Sequence, residues 1–211
     1  MYKHFVKRLF DIILSGAAII VLAIPMLIVA IAIKIDDPGP VFFRQRRIAQ
    51  NKKGEKCFFT ILKYRSMKMS TPKDVPTHML ENPEQYITRV GRILRKTSLD
   101  ELPQIFNIFA GEMSIIGPRP ALWNQDDLYA ERKKYGANDV CPGLTGWAQI
   151  NGRDELPIDV KATLDGEYAN KVSFAMDWKC FWGTIVSVLK SDGVVEGGTG
   201  ELEKKRENAA K

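Results

Sequence analysis

Twenty-two consecutive residues, Ile12 to Ile33, carry no charge. As one straight helix that run reaches about 33 Å, enough for the hydrocarbon core of a bilayer. Length permits a crossing, but the flanks and the interior of the run argue for another geometry. Lys3, Lys7 and Arg8 precede it, while Lys34 and the Arg44, Arg46 and Arg47 cluster follow. Basic flanks favour the cytoplasmic side of a membrane, and here both ends are basic. Pro25 lies within the run; it lacks a backbone N–H and clashes with the carbonyl four residues earlier, so it breaks or kinks the helix. A re-entrant helix-break-helix over residues 1–36, broken at Pro25, enters one leaflet and returns, and so satisfies both observations. Three other readings fit less fully. A signal peptide explains the basic start and Ala30-Ile31-Ala32, but its apolar region runs only about 7–15 residues. A single span tolerates Pro, and a buried helix of a water-soluble domain needs fewer apolar residues.

The charge sits where that geometry wants it. The 211 residues carry a net +6, but the first 70 hold thirteen basic and four acidic side chains, a net +9, and the remainder nets −3. A basic excess beside an apolar segment points to an anionic membrane surface, and no nucleic-acid partner is expected. Cys57, Cys141 and Cys180 are odd in number and show no C-x-x-C spacing, which excludes a zinc site and a full disulfide framework. With His4 and His78 the only histidines, a Ser-His-Asp or Cys-His mechanism is disfavoured.

The length suits one compact domain. Asp36-Asp37-Pro38-Gly39-Pro40 ends the apolar segment. Val41–Ile48 and Lys56–Met67 read as strands joined by a hairpin loop at Asn51-Lys52-Lys53-Gly54, and 70–83 as a loop. Ile87, Val90, Ile93 and Leu94 line one face of a short helix studded with Arg89, Arg92, Arg95 and Lys96, a pattern suited to a membrane surface or to a solvated helix on a core. Further helices are predicted at about 100–110, 121–134, 157–170 and 173–190. The last repeats Phe174, Trp178, Phe181, Trp182, Ile185, Val186 and Leu189, spacing that fits a core face or the headgroup layer. The expected architecture is α+β: the membrane helix-break-helix, a β-hairpin and amphipathic interfacial helices packed as one catalytic domain over 37–192, then a flexible tail over 193–211.

Ser98-Leu99-Asp100-Glu101-Leu102-Pro103 opens one of these helices. Ser98 with Glu101 fits a capping box, and acidic residues favour a first helical turn. A carboxylate at a helix N-terminus is also kept ionised and can attack phosphorus, while a neighbouring Glu helps to hold a hard cation such as Mg²⁺. Phosphate chemistry needs cationic clamps, and Lys63, Arg65, Arg95, Arg119 and Arg153 are the candidates. Arg119 stands out because Pro118 and Pro120 restrict its backbone. The Gly- and Pro-rich stretches 116–120 and 141–147 read as ligand-approaching loops. There is no G-x-x-x-x-G-K-[ST] or G-x-G-x-x-G motif.

These motifs resemble a known family. Lys63-Tyr64-Arg65-Ser66-Met67, the run from Arg95 to Gln104 containing Ser98-Leu99-Asp100-Glu101-Leu102-Pro103, the run from Gly111 to Pro120, the run from Pro142 to Arg153, and Tyr168 with Asp177-Trp178-Lys179 occur in the order found in the bacterial sugar transferases. These are the monotopic phosphoglycosyl transferases that begin glycan assembly on a polyprenol-phosphate carrier. The resemblance covers nearly residues 1–190. It implies that Asp100 attacks the β-phosphate of a UDP-sugar, expels UMP and holds the sugar phosphate until polyprenol phosphate takes it up. Glu101 would assist with Mg²⁺, and Lys63, Arg95, Arg119, Arg153 and Asp177 match positions around the family's active site, with Arg65, Pro118 and Pro120 as further candidate substrate-binding residues.

The resemblance further implies a re-entrant membrane helix, contact with membrane lipids, an active site on the cytoplasmic face of the bacterial inner membrane, and hand-over of product to downstream glycosyl transferases for capsule, exopolysaccharide or glycoprotein synthesis. Two departures stand out. Many small members break the helix at Ser-Pro, where this chain has Ile24-Pro25, and no counterpart is seen of the N-terminal membrane bundle of larger relatives, so a minimal catalytic unit is expected. Two other functions stay open on the sequence: a membrane-associated glycosyl transferase that moves only the sugar and releases UDP, and a non-enzymatic membrane-surface scaffold.

Overall fold

The computed structural model describes residues 2–71, 83–152 and 156–189. Arg153, most of the 70–83 loop and the 193–211 tail lie outside the described residues. The architecture is mixed α+β: an N-terminal bent helix pair, two small two-stranded sheets and a set of short helices.

Helices α1 (Lys7–Val21) and α2 (Ala23–Asp36) meet at a bend of 61°. The break falls at Leu22, three residues before the expected position. Pro25 nevertheless explains it, because its ring excludes the carbonyl of Val21, the residue at which α1 ends. As the third residue of α2, Pro25 sits where a helix has no use for its N–H.

Helix α1 is two-sided. Lys7, Asp11 and Ser15, spaced by four, are buried, whereas Leu9, Phe10, Ile12, Ile13 and Leu14 are exposed. The buried stripe is polar and satisfied. The Asp11 carboxylate accepts the Ile115 N–H at 2.9 Å and the Ser114 hydroxyl at 3.1 Å, and Lys7 donates to Asp177 at 2.7 Å. Arg8 donates to the carbonyls of Ile108 and Phe109 at the end of α4 (Gln104–Ala110), where carbonyls lack helical partners and positive charge is favoured. Helix α2 buries Met26 and Ile33 against Tyr64, Leu94 and Ile105, and exposes Ile24, Leu27, Ile28, Ile31 and Ile35. The Tyr64 hydroxyl donates to the Met26 carbonyl at 2.8 Å.

Strands β1 (Phe42–Ile48) and β2 (Phe58–Tyr64) pair antiparallel, Phe42 opposite Tyr64 and Ile48 opposite Phe58. The hairpin tip is tight: Lys53 and Gly54 both have positive φ, 54° and 80°, the pattern of a type I′ turn. Helix α3 (Arg89–Lys96) is capped by Thr88, whose hydroxyl accepts the Gly91 N–H at 2.9 Å. Leu94 and Val90 face the α2 cluster, but Ile93, expected on the same face, is exposed.

The stretches expected to be ligand loops include strands. β3 (Ser114–Ile116) and β4 (Gly143–Thr145) form a parallel pair, Ser114 opposite Gly143 and Ile116 opposite Thr145. The glycines serve backbone contact: a Cβ on Gly146 would lie 2.1 Å from the Gly117 carbonyl oxygen.

Helix α5 (Asp126–Lys133) starts five residues later than predicted. It packs Leu128 against Ala162 of α7 (Ile158–Asn170). After the single turn α6 (Trp147–Ile150), helix α8 (Phe174–Leu189) turns Cys180 and Asp177 inward and leaves Phe174, Trp178, Phe181, Trp182 and Val186 outside. Its aromatic repeat is therefore a surface, continued by Tyr2 and Phe10, whose rings lie 6.3 Å from that of Phe174. All three cysteines are free thiols.

Candidate active site

Three segments converge on one carboxylate. Lys63 lies near the end of β2, Glu101 closes a three-ten turn over Leu99–Glu101, and Arg119 follows β3 in the Pro118-Arg119-Pro120 loop. The Lys63 ammonium is 2.8 Å from Glu101 Oε1 and the Arg119 guanidinium 2.9 Å from the same oxygen, with a longer 3.5 Å contact to Oε2. Burial pushes the Glu101 carboxyl up, but Arg119 and Lys63 together outweigh it and hold the group well below the usual carboxylate range. Glu101 is thus an anion at any physiological pH.

That pairing replaces the expected capping box. Ser98 has left-handed backbone, φ 56°, and its side chain caps nothing. Helix α4 starts at Gln104 with Pro103 immediately before it, a position that needs no N–H. The physical reason is competition: two cations attract the Glu101 carboxylate more strongly than a backbone N–H does.

Asp100, next to Glu101, is 3% exposed. A narrow crevice at its neighbour Glu101 is lined by Arg47, Ile61, Lys63, Glu101, Gln104, Arg119 and Pro120. The loop carrying Arg119 is fixed from two sides. Arg132 of α5 donates to the Arg119 carbonyl at 3.0 Å, and Arg47 of β1 donates to the Pro120 carbonyl at 3.0 Å. Arg132 is itself gripped by the fully buried Asp165 of α7, at 2.8 Å through Nε and 2.6 Å through Nη2.

The other expected phosphate ligands fall differently. Arg95 is on the last turn of α3, partly buried, five residues before Asp100. Arg65 is buried at the exit of the helix pair, where its guanidinium pairs with the Asp37 carboxylate at 3.2 Å and donates to the Asp37 carbonyl. These contacts fasten the end of α2 to the end of β2, with the Asp36-Asp37 breaker lying against the strand end. Asp177 also belongs to a different cluster, accepting from Lys7, Tyr2 and the Tyr168 hydroxyl, each at 2.7 Å. The Tyr168 hydroxyl also lies 3.1 Å from the carbonyl of Ile116, three residues before Arg119, which links this cluster to the Arg119 loop.

Among the described residues no cluster of three His, Cys, Asp or Glu is built to hold a metal ion. Two adjacent carboxylates, Asp100 and Glu101, fit Mg²⁺ in the manner usual for that ion, which completes its shell with substrate phosphates and water. Arg47, Gln104, Arg132 and Asp165 were not legible as site residues. Only Gln104 carried a signal, its position four residues after Asp100, on the same side of a helical turn.

The bacterial sugar transferase family profile matches residues 2–191. The chain belongs to the bacterial sugar transferase family. This is a family of sugar-1-phosphate transferases. The chain is 37% identical over 188 residues to the uncharacterised sugar transferase EpsL of Bacillus subtilis, covering 89% of each chain. It is 35% identical over 201 residues to the exopolysaccharide production protein ExoY of Sinorhizobium fredii, covering 89% of this chain and 87% of that one. It is 37% identical over 190 residues to the UDP-glucose:undecaprenyl-phosphate glucose-1-phosphate transferase of Escherichia coli, covering 87% of this chain and 40% of that longer protein.

Proposed function

We propose that this sugar transferase moves a sugar-1-phosphate from a UDP-sugar to a polyprenol phosphate at the cytoplasmic membrane surface, through a covalent intermediate on Asp100. The observation that carries the reading is the Lys63–Glu101–Arg119 cluster beside a buried Asp100, one sequence position from the clamped carboxylate. Glu101 occupies the two cations in the resting enzyme and keeps them aligned. An arriving diphosphate brings negative charge that competes for the same ammonium and guanidinium, so the clamp is ready-made for phosphate.

The chemistry balances in two displacements. An Asp100 carboxylate oxygen attacks the β-phosphorus of the UDP-sugar as the bond to the α–β bridging oxygen breaks, and UMP leaves with that electron pair. A phosphate oxygen of the polyprenol phosphate then attacks the same phosphorus, the bond to Asp100 breaks, and the carboxylate is regenerated beside a polyprenol diphosphate sugar. Mg²⁺, held by Asp100 and Glu101 together with the substrate phosphates, would neutralise charge on the diphosphate. Arg119 and Lys63 contribute fixed positive charge, and Arg132 and Arg47 hold the Arg119 loop still.

Membrane association is supported by the exposed faces. Leu9, Phe10, Ile12, Ile13 and Leu14 of α1, Ile24, Leu27, Ile28 and Ile31 of α2, and the aromatic ladder of α8 are more apolar surface than a water-exposed monomer presents. The 61° bend and the two-sidedness of α1 favour a re-entrant insertion over a span, because a spanning α1 would have to bury Lys7, Asp11 and Ser15 in lipid.

The test is incubation of the protein with Mg²⁺, undecaprenyl phosphate and a panel of UDP-sugars, following nucleotide release. UMP release from one sugar is expected, and Asp100→Asn should lower it by at least about 10⁴-fold while membrane binding is kept. Release of UDP in place of UMP would establish transfer of the sugar alone, and no nucleotide release from any sugar by folded protein would overturn the enzyme reading.

A further inference from the structure

Gln104 is 1% exposed, yet its side-chain N–H group has no acceptor among the described residues. A buried amide donor left unpaired keeps its desolvation cost uncompensated, and folded proteins seldom keep one without a use. This one lines the crevice shared with Lys63, Glu101, Arg119 and Pro120. It also follows Asp100 by four residues, about one helical turn, through backbone that is helical at Leu102 and Pro103. The residue is thus a neutral donor, desolvated before substrate arrives, beside two cations and one turn from the carboxylate that meets phosphorus.

We infer that Gln104 donates a hydrogen bond to a non-bridging oxygen of the phosphoryl group that is passed to and from Asp100. This deepens the transferase reading and rests on it. A neutral amide suits that place. Lys63 and Arg119 are already paired with Glu101 in the resting state, so part of their attraction for phosphate is offset by the carboxylate they must share. Gln104 has no such competitor, and a charged phosphoryl oxygen is the acceptor that best repays its desolvation. Because the same group is bound to Asp100 in the intermediate, the bond serves both half-reactions and fixes the orientation of the phosphorus between them.

The full chain in lipid nanodiscs tests this with Gln104→Leu and Gln104→Glu. Leu removes the donor and the unpaired polar atom together, so its melting temperature should equal or exceed that of the parent. Its kcat/KM for UMP release should fall about 10- to 100-fold, the size of one lost hydrogen bond to a charged acceptor. UDP, which carries the β-phosphate, should bind about tenfold more weakly. Gln104→Glu, nearly the same shape but anionic, should lose more on both measures and carries the test alone should Leu not be accommodated. A Gln104→Leu protein within twofold of the parent in turnover and in UDP binding overturns the inference, as does a lowered melting temperature with unchanged turnover per folded molecule. Should the parent bind UDP in a Gln104-dependent way but release no UMP from any UDP-sugar, the transferase reading fails and the contact stands. Normal UMP release, with UDP binding and turnover indifferent to Gln104, removes the contact and leaves the transferase reading intact.

Discussion

Replacing Asp177 by Ala should unfasten helix α1 from the rest of the protein without touching the chemistry. The Asp177 carboxylate receives three short contacts, from the Lys7 ammonium, the Tyr2 hydroxyl and the Tyr168 hydroxyl, all at 2.7 Å. The Lys7 and Asp177 side chains are each about a tenth exposed. Deleting the carboxylate leaves the Lys7 charge buried without its hydrogen-bonded partner and with only the Asp11 charge one turn away, a loss of about 3–5 kcal/mol. The two phenols add little, since Tyr168 already has the Ile116 carbonyl at 3.1 Å and Tyr2 is part-exposed. Burial, and then the Asp177 charge, push Tyr168 far above the ordinary phenol range, so it remains a donor at every assay pH. In a chain of this length each kcal/mol moves the melting temperature by about 2–4 °C, which places the expected fall at about 6–20 °C. Tryptophan fluorescence during heating in nanodiscs reads it out, and UMP release measured at least 20 °C below the variant's melting point should stay within about threefold of the parent. A double variant, Lys7→Met with Asp177→Leu, should recover most of the lost stability, because an apolar pair of similar volume removes the unpaired charge. The opposite pattern, a melting point within about 2 °C of the parent together with a 100-fold loss of kcat, would show that Asp177 acts on substrate and that its contacts with Lys7 are incidental.

Two further outcomes follow from other contacts. Glu101→Gln leaves Lys63 and Arg119 facing a neutral amide and should lower stability at pH 7 by about 2–3 kcal/mol, Arg119 being partly screened by solvent. Because the folded-state carboxyl lies below its ordinary value of 4.5, the Glu101 contribution is fully present above that pH and is lost as pH falls towards the folded value. The stability gap between parent and Glu101→Gln should hold constant from pH 8 to about 5 and close below about 4.5; a gap that widens on acidification would contradict the assignment. Lys3→Cys tests topology, since Lys3 is exposed next to Tyr2, which is tied to Asp177 on the protein side. An impermeant thiol reagent added to intact cells should leave it unlabelled and should label it in opened vesicles, whereas labelling from outside would require an N-terminus across the membrane.

Much of the fold was legible because its signals are local. The 22-residue uncharged run, Pro25 and the Lys52–Glu55 turn each act through neighbouring residues, and the structure displaces the helix break by only three positions because proline acts on the carbonyl behind it. Where pairing is distant, local signals gave less. Three-residue strands such as Ser114–Ile116 offer no alternation to read, and the glycines that let Gly117 and Gly146 touch look the same in sequence as glycines that open a ligand loop. The active site divides in the same way. Arg119 stood out through its flanking prolines, but the Arg132–Asp165 pair behind it spans 33 positions with no periodic or compositional mark. Glu101 was readable as acidic and near a helix start, yet its true partners lie on β2 and in the Pro118–Pro120 loop, and only the folded chain brings them within 3 Å.

The polar stripe of α1 has a consequence for how this catalytic unit can be built into other proteins. An anchor that only holds an enzyme to a membrane is a mooring line and can be exchanged for another. Here the buried side of α1 is a wall of the protein: Asp11 closes the end of β3, Arg8 covers the open carbonyls of α4, and Lys7 neutralises Asp177. A version cut after residue 36 would not be a soluble transferase freed from its tether. It would be a shell with one panel missing, its β3 amide and α4 terminus bared, and grafting a foreign transmembrane helix in front of it would restore the address but not the panel.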